Sequence, residues 1–168
     1  LERFLCTIDE RTHDMSGNHV TLITGASKGI GRATAEMLAA RGQTVLGMAR
    51  SKVSDFPGEY VSVDLADADA TAAALKDLTA RHRIDGLVNN VGIVRPAPLA
   101  DVKIDDMREV FDLNLRVALQ CTQAVLPAML EAGYGRIVNI ASLVTAGVPF
   151  RTSYAAAKSA LVSFTRSW

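Results

Sequence analysis

Long apolar runs, net charge, clustered cysteines and internal repeats are all missing from this sequence, and each absence removes a class of protein. Eighteen basic residues balance eighteen acidic ones. No local basic run stands out, so no field recruits nucleic acid or anionic lipid. The two cysteines, Cys6 and Cys121, are far apart and match no metal or redox spacing, which fits a reducing compartment. Cys121 lies in an apolar helical pattern and reads as a small buried hydrophobe. No apolar stretch approaches a membrane span, and the first residues, with Glu2, Asp9, Glu10 and Asp14, lack the basic-then-apolar plan of a signal peptide. A cytoplasmic protein with no membrane or nucleic-acid partner is expected. His13, His19 and His82 match no site and are expected at the surface.

The 168 residues, half of them apolar, suffice for one domain with a sizeable core and are too few for two. Residues 1–14 show no periodicity or turn logic and are expected to be a disordered extension, with Met15 a natural start. Residues 15–168 then form one α/β domain. Val20–Thr24 is a short apolar strand, Gly25–Gly31 a glycine turn, and Ile30, Ala33, Met37 and Leu38 mark one face of a helix ending at Gly42. Further strands are expected at Thr44–Ala49, Tyr60–Val63, Gly86–Val91 and Gly135–Ala141, with a helix over Ala70–His82. Met107, Val110, Phe111, Asn114, Leu115 and Ala118 share the face of a long helix reaching toward Pro127 and Met129. The last helix starts near Ser153. This alternation implies a doubly wound parallel sheet covered on both faces, a three-layer dinucleotide-binding fold. That fold has six strands and five are found, so the expectation is a domain incomplete at its C-terminus, with an exposed fifth-strand edge.

The stretch Thr24-Gly-Ala-Ser-Lys-Gly-Ile-Gly31 stands where a strand hands over to a helix. Glycines there allow positive φ and let backbone N–H groups approach a pyrophosphate, which the positive end of the helix favours. A glycine run alone can also be only a tight turn. The second strand ends in Met48-Ala49-Arg50 with no acid to take a ribose 2′-hydroxyl, whereas an arginine accommodates a 2′-phosphate. With Lys28 inside the turn, NADP(H) is favoured over NAD(H), although a surface Arg and Lys could each be incidental.

Tyr154 and Lys158 lie four residues apart, neighbours on one helical face. A tyrosine ordinarily loses its proton at roughly pH 10, and a nearby cation favours the phenolate. Ser142, twelve residues upstream, follows the apolar run Arg136–Ala141 and should sit at the carboxyl end of a strand, where open α/β sheets place ligands. Such a pair is also common on solvated helices. Asn114 interrupts an apolar stripe, and a buried amide needs partners; it is a satisfied core residue or a functional one.

Taken together, Thr24-Gly25-x-x-x-Gly29-x-Gly31, Asn89-Asn90-Val91-Gly92, and Ser142 with Tyr154-x-x-x-Lys158 resemble the short-chain dehydrogenase/reductase family, nearest its 3-oxoacyl thioester reductases, from about His19 to Trp168. The resemblance implies a cofactor site of Gly25, Ser27, Lys28, Gly29, Ile30, Gly31 and Arg50, with Asp64 and Leu65 at the adenine and Asn90 and Gly92 beside the fourth strand. The family usually has alanine where Val91 stands, a packing variation. The resemblance further implies a catalytic set of Asn114, Ser142, Tyr154 and Lys158. Tyr154 would donate a proton to a carbonyl, Ser142 polarise that oxygen, Lys158 bind the nicotinamide ribose and lower the Tyr154 pKa, and Asn114 hold a water linking Lys158 to solvent. The implied activity is hydride transfer between NADP(H) and a small carbonyl or alcohol substrate: a 3-oxoacyl thioester, or a sugar or polyol. A non-catalytic nucleotide-binding fragment is the alternative. Family members usually form tetramers, so a homo-oligomer is implied.

Overall fold

A computed structural model describes residues 19–168; the extension expected over residues 1–14, with Cys6 and His13, lies outside these described residues, as do residues 15–18. Five strands, β1 (Val20–Thr24), β2 (Thr44–Ala49), β3 (Glu59–Ser62), β4 (Gly86–Asn89) and β5 (Arg136–Asn139), form one parallel sheet in the order β3-β2-β1-β4-β5. The order reverses between β1 and β4, which opens a crevice beyond their carboxyl ends.

Successive strand residues point to opposite faces, and both faces are covered. Leu22, Leu46 and Leu87 join a large core with Leu75, Leu78, Val117, Cys121 and Val125, beneath helices α2 (Ala68–Arg81) and α4 (Val117–Ala132). Ile23, Val45 and Val88 join a smaller core with Ala26 and Ala35, beneath α1 (Gly29–Ala40). Asp67 caps α2 by accepting the N–H groups of Asp69 and Ala70. The remaining helices are α3 (Ile104–Phe111) and α5 (Thr152–Ser167), which pack on each other.

The core face of α1 differs from expectation. Ile30 and Met37 are 62 % and 56 % exposed; the buried residues are Gly31 and Ala35. Small side chains let the helix lie close to the sheet, so Ile30 and Met37 are turned outward, while Leu38 packs half-buried against the smaller core as expected. The long helix runs from Ile104 to Ala132 as expected, but α3 and α4 are joined within it by a π-helical turn over Asp112–Arg116, which carries Asn114. Strand β4 stops at Asn89, short of the expected Val91, because the N–H groups of Asn90 and Val91 turn to the Thr24 hydroxyl at 3.0 and 3.1 Å. Val91 packs half-buried against the larger core. His19 and His82 are half-buried rather than surface residues, paired at 2.8 Å with Asp85 and Glu59. Cys121 is fully buried, and burial pushes its thiol up to about 12. β5 forms an edge of the described sheet, with Val138 49 % exposed.

Candidate active site

A cleft of about 500 Å³ lies beyond the carboxyl ends of β1, β2 and β4 and is lined by Gly25, Ser27, Lys28, Gly29 and Ile30 on one side. Arg50, Asp64, Leu65, Asn90 and Gly92 also line it, as do Arg95 and Glu109, which pair with each other. The exception among the expected cofactor residues of the turn is Gly31, which is buried and outside the lining. Its task is close packing: a Cβ there would lie 2.6 Å from both the Gly25 carbonyl oxygen and the Asn90 amide nitrogen. Gly25 has φ +67°, a left-handed conformation that costs side-chain-bearing residues energy.

Asn90 fixes the turn from across the crevice. Its Nδ2 donates to the carbonyls of Thr24 at 2.9 Å and Gly25 at 3.2 Å. Sequence reading gave Thr24 no role, yet its buried hydroxyl receives both N–H groups that end β4; a polar side chain closing an apolar strand was the available signal. The N-terminus of α1 faces the same cleft with no side-chain cap and no acidic residue in its first turn, so an anion there meets free donors and the positive helix end.

Lys28 and Arg50 are exposed and line the cleft, and neither side chain has a partner among the described residues. Arg50 is followed by Ser51, whose carbonyl accepts the Tyr60 hydroxyl at 2.5 Å. Burial raises the Tyr60 pKa, against a hydrogen bond from Ser27 that lowers it. Asp64 accepts the Ala66 N–H at 3.1 Å. Leu65 is largely a core residue, 3 % exposed. These groups fit a dinucleotide: a glycine turn against backbone, uncapped helix donors for a pyrophosphate, and two unpaired cations.

The other four expected residues do not line this cleft. Asn114 is buried on the π turn, its Nδ2 donating to the carbonyls of Val110 at 2.8 Å and Ile93 at 3.0 Å. A side chain taking a carbonyl one turn back accompanies the locally widened ladder. Its Oδ1 is buried without a partner. Lys158, 2 % exposed, donates from Nζ to the Ile140 carbonyl at 2.7 Å, and burial lowers its pKa to about 8. Gly92 joins the two: a Cβ there would overlap Asn114 Oδ1 and stand 3.5 Å from Lys158 Nζ. Hence a glycine of the cleft wall, an orphaned amide oxygen and a buried ammonium meet at one point.

Tyr154 stands on the first turn of α5, its ring centroid 5.7 Å from Lys158 Nζ, and its hydroxyl has no partner among the described residues. Ser142 follows β5 and caps a short 3₁₀ turn (Leu143–Ala146), its Oγ accepting the Val144 N–H at 3.4 Å. No hydrogen bond joins Ser142 to Tyr154 among the described residues. The arrangement offers the Tyr154 hydroxyl beside a buried cation, with the Ser142 hydroxyl on the segment whose Ile140 carbonyl holds that cation.

Comparison with known proteins places these features in a family. The profile described as short chain dehydrogenase matches residues 19–168. The 3-oxoacyl-(acyl-carrier-protein) reductase FabG of Vibrio harveyi is 39 % identical over 158 residues, 88 % of this chain and 65 % of that protein. The chain thus spans just under two thirds of the length of such relatives. A Beutenbergia cavernae protein assigned as an NAD(P)-dependent gluconate 5-dehydrogenase, with bound NADP, superposes with a TM-score of 0.84 at 37 % identity, covering 90 % of this chain and 66 % of that one. A 4-hydroxyisoleucine dehydrogenase complexed with NADH superposes with a TM-score of 0.82 at 28 % identity, covering 89 % and 67 %.

Proposed function

Because the chain belongs to the short chain dehydrogenase family, we propose that it is the cofactor-binding and catalytic part of an NADP(H)-dependent oxidoreductase interconverting a ketone and a secondary alcohol. The meeting of Gly92, Asn114 Oδ1 and Lys158 Nζ behind a cleft with free cations carries this reading. Gly25, Ser27, Gly29, Ile30 and the α1 N-terminus hold the pyrophosphate, Asp64 and Leu65 flank the adenine, and Asn90 and Gly92 back the nicotinamide half. Lys28 and Arg50 take the 2′-phosphate, which favours NADP(H) over NAD(H).

The nicotinamide, when bound, supplies or accepts the hydride. Tyr154 gives the carbonyl oxygen a proton from its unpartnered hydroxyl during reduction and recovers it during oxidation. Ser142 donates a hydrogen bond to the same oxygen, its O–H being left free while Oγ accepts the Val144 N–H. Lys158 holds the ribose and feeds protons to Tyr154, and Asn114 Oδ1 accepts from a water on that path. The substrate is a 3-oxoacyl thioester, as the reductase relatives' names support; a sugar acid, as for the gluconate dehydrogenase relative, is the second reading. The protein acts in the cytoplasm as a homo-oligomer, a tetramer by family resemblance. Among the described residues no helix is long and apolar enough to cross a membrane.

Thermal melting with NADPH and, separately, NADH tests the cofactor assignment, since a ligand that binds only the folded state raises the melting temperature with its concentration. NADPH is expected to stabilise more than NADH, and Tyr154→Phe to keep that shift while losing turnover of a 3-oxoacyl thioester. No shift with either nucleotide overturns the reading.

A further inference from the structure

Tyr60 and Ser62 stand two residues apart on β3 and so share one face of the strand. The pairing of β2 with β3 runs to Ala49 and Ser62, where Val63 donates its N–H to the Ala49 carbonyl at 3.0 Å. Beyond that point side chains of β3 take over from the backbone ladder. The Ser62 hydroxyl donates to the Arg50 carbonyl at 3.1 Å, and the Tyr60 hydroxyl to the Ser51 carbonyl at 2.5 Å. A phenol has a single proton, so the Ala49 carbonyl, 3.4 Å from the same oxygen, is the weaker acceptor. Packing holds the Tyr60 ring in place: its centroid lies 5.1 Å from that of Phe56, and Phe56 in turn fills the space over Gly47 that a Cβ would need.

Both bonds lie at an exposed end of the sheet, where water can satisfy the two carbonyls nearly as well. The fold gains little from them. What they fix is the backbone of Arg50 and its neighbour, while the guanidinium itself is exposed and has no partner among the described residues. A ligand group carried on a loop loses affinity to the ordering of that loop, and a backbone ordered in advance avoids the loss. We propose that Tyr60 and Ser62 are positioning residues for the 2′-phosphate of the cofactor. Their hydroxyls hold the backbone from which Arg50 reaches, so preference for NADP(H) depends on two side chains outside the cleft lining. The inference rests on the reading of Arg50 as a 2′-phosphate partner.

The test is the preference for NADPH over NADH, taken as the ratio of dissociation constants from fluorescence titrations of the parent, Tyr60→Phe and Ser62→Ala, each repeated in an Arg50→Ala background. Removing one such hydrogen bond shifts an equilibrium about three- to tenfold, so the preference of each variant should fall by about that factor. Tyr60→Phe also takes away the acceptor of the Ser27 hydroxyl in the glycine turn, but both nucleotides carry the pyrophosphate, so the ratio cancels that loss. Phenylalanine keeps the ring on Phe56, and Tyr60→Phe should melt near the parent; Ser62 is exposed, so Ser62→Ala decides the matter if Tyr60→Phe folds poorly. In the Arg50→Ala background neither change should move the ratio further, because a residue that acts only through Arg50 is silent without it. A preference unchanged in a folded variant, or a drop that persists without Arg50, overturns the positioning role. A parent that binds NADPH no more tightly than NADH overturns the cofactor assignment with it, whereas a parent that prefers NADPH and variants that keep its preference overturn the positioning role alone.

Discussion

Replacing Lys158 by methionine should make the unliganded protein more stable at neutral pH while removing its cofactor contact. Burial lowers the lysine from 10.5 to about 8, and each pKa unit is worth about 1.4 kcal/mol, so holding the ammonium inside costs about 3 kcal/mol at pH 7. Methionine has similar length and no charge, but it leaves the Ile140 carbonyl without the donor now 2.7 Å away, a loss of about 1 kcal/mol. A net gain of about 2 kcal/mol is expected. The pH dependence fixes the cause. Between about 8 and 10.5 the unfolded chain keeps the lysine proton and the native one has shed it, so wild-type stability rises with pH across that window and the variant's advantage shrinks toward zero by about pH 10. Urea unfolding of both proteins at pH 7, 8.5 and 10 measures this, and taking their difference cancels groups common to both, Cys121 among them. A variant less stable at pH 7, or an advantage that stays constant with pH, refutes the reasoning.

Gly31→Ala should be severe for so small a change: its methyl would press on the Gly25 carbonyl and the Asn90 amide at 2.6 Å, costing about 1–3 kcal/mol, read as a lower urea midpoint and weaker nucleotide binding. Arg50→Glu should weaken NADPH at least about tenfold by removing a phosphate partner and adding a like charge, leaving NADH nearly unchanged; equal losses for both in a binding titration would exclude Arg50 from the 2′-phosphate site. Cys121, its thiol pushed up to about 12 from 9.0, should resist iodoacetamide at pH 8.5 until denaturant is added. Because the unfolded thiol ionises first, its contribution to stability is complete below about pH 9 and is lost as pH rises above it.

Period and punctuation carried most of the architecture. Strands β1 and β2 lie where apolar runs between turn residues put them, because a strand buried on both faces needs an unbroken apolar run. The glycine turn, Arg50 and the Tyr154–Lys158 spacing were legible for the same reason: each is a local pattern with a local geometric meaning. The face of α1 was read correctly at Leu38, which packs on the core, and misread at Ile30 and Met37, where close packing instead selected Gly31 and Ala35. The π turn at Asn114 left no periodic signature, since one widened turn changes little in an apolar stripe. The Thr24–Asn90 link spans 66 residues, beyond any window in which periodicity works. Phe150, at φ +63°, carried no warning either, since no local pattern marks a bulky residue in the left-handed region.

The Thr24–Asn90 link also orders events in time. Thr24 and Gly25 offer their carbonyls, and Thr24 its hydroxyl, to a segment that leaves the ribosome only after β2, β3 and α2 have been made. A nascent β1-α1-β2 unit therefore has its glycine turn held by the Met48 carbonyl, which accepts the Gly25 N–H at 2.7 Å, but without the bonds from Asn90. Closing it requires the central pairing of β1 with β4, a non-local contact of the kind that slows folding. Nucleotide capture by the growing chain should thus begin abruptly once Gly92 has emerged, rather than accumulate as the turn itself forms. During refolding, the appearance of nucleotide affinity would serve as a clock for completion of the sheet.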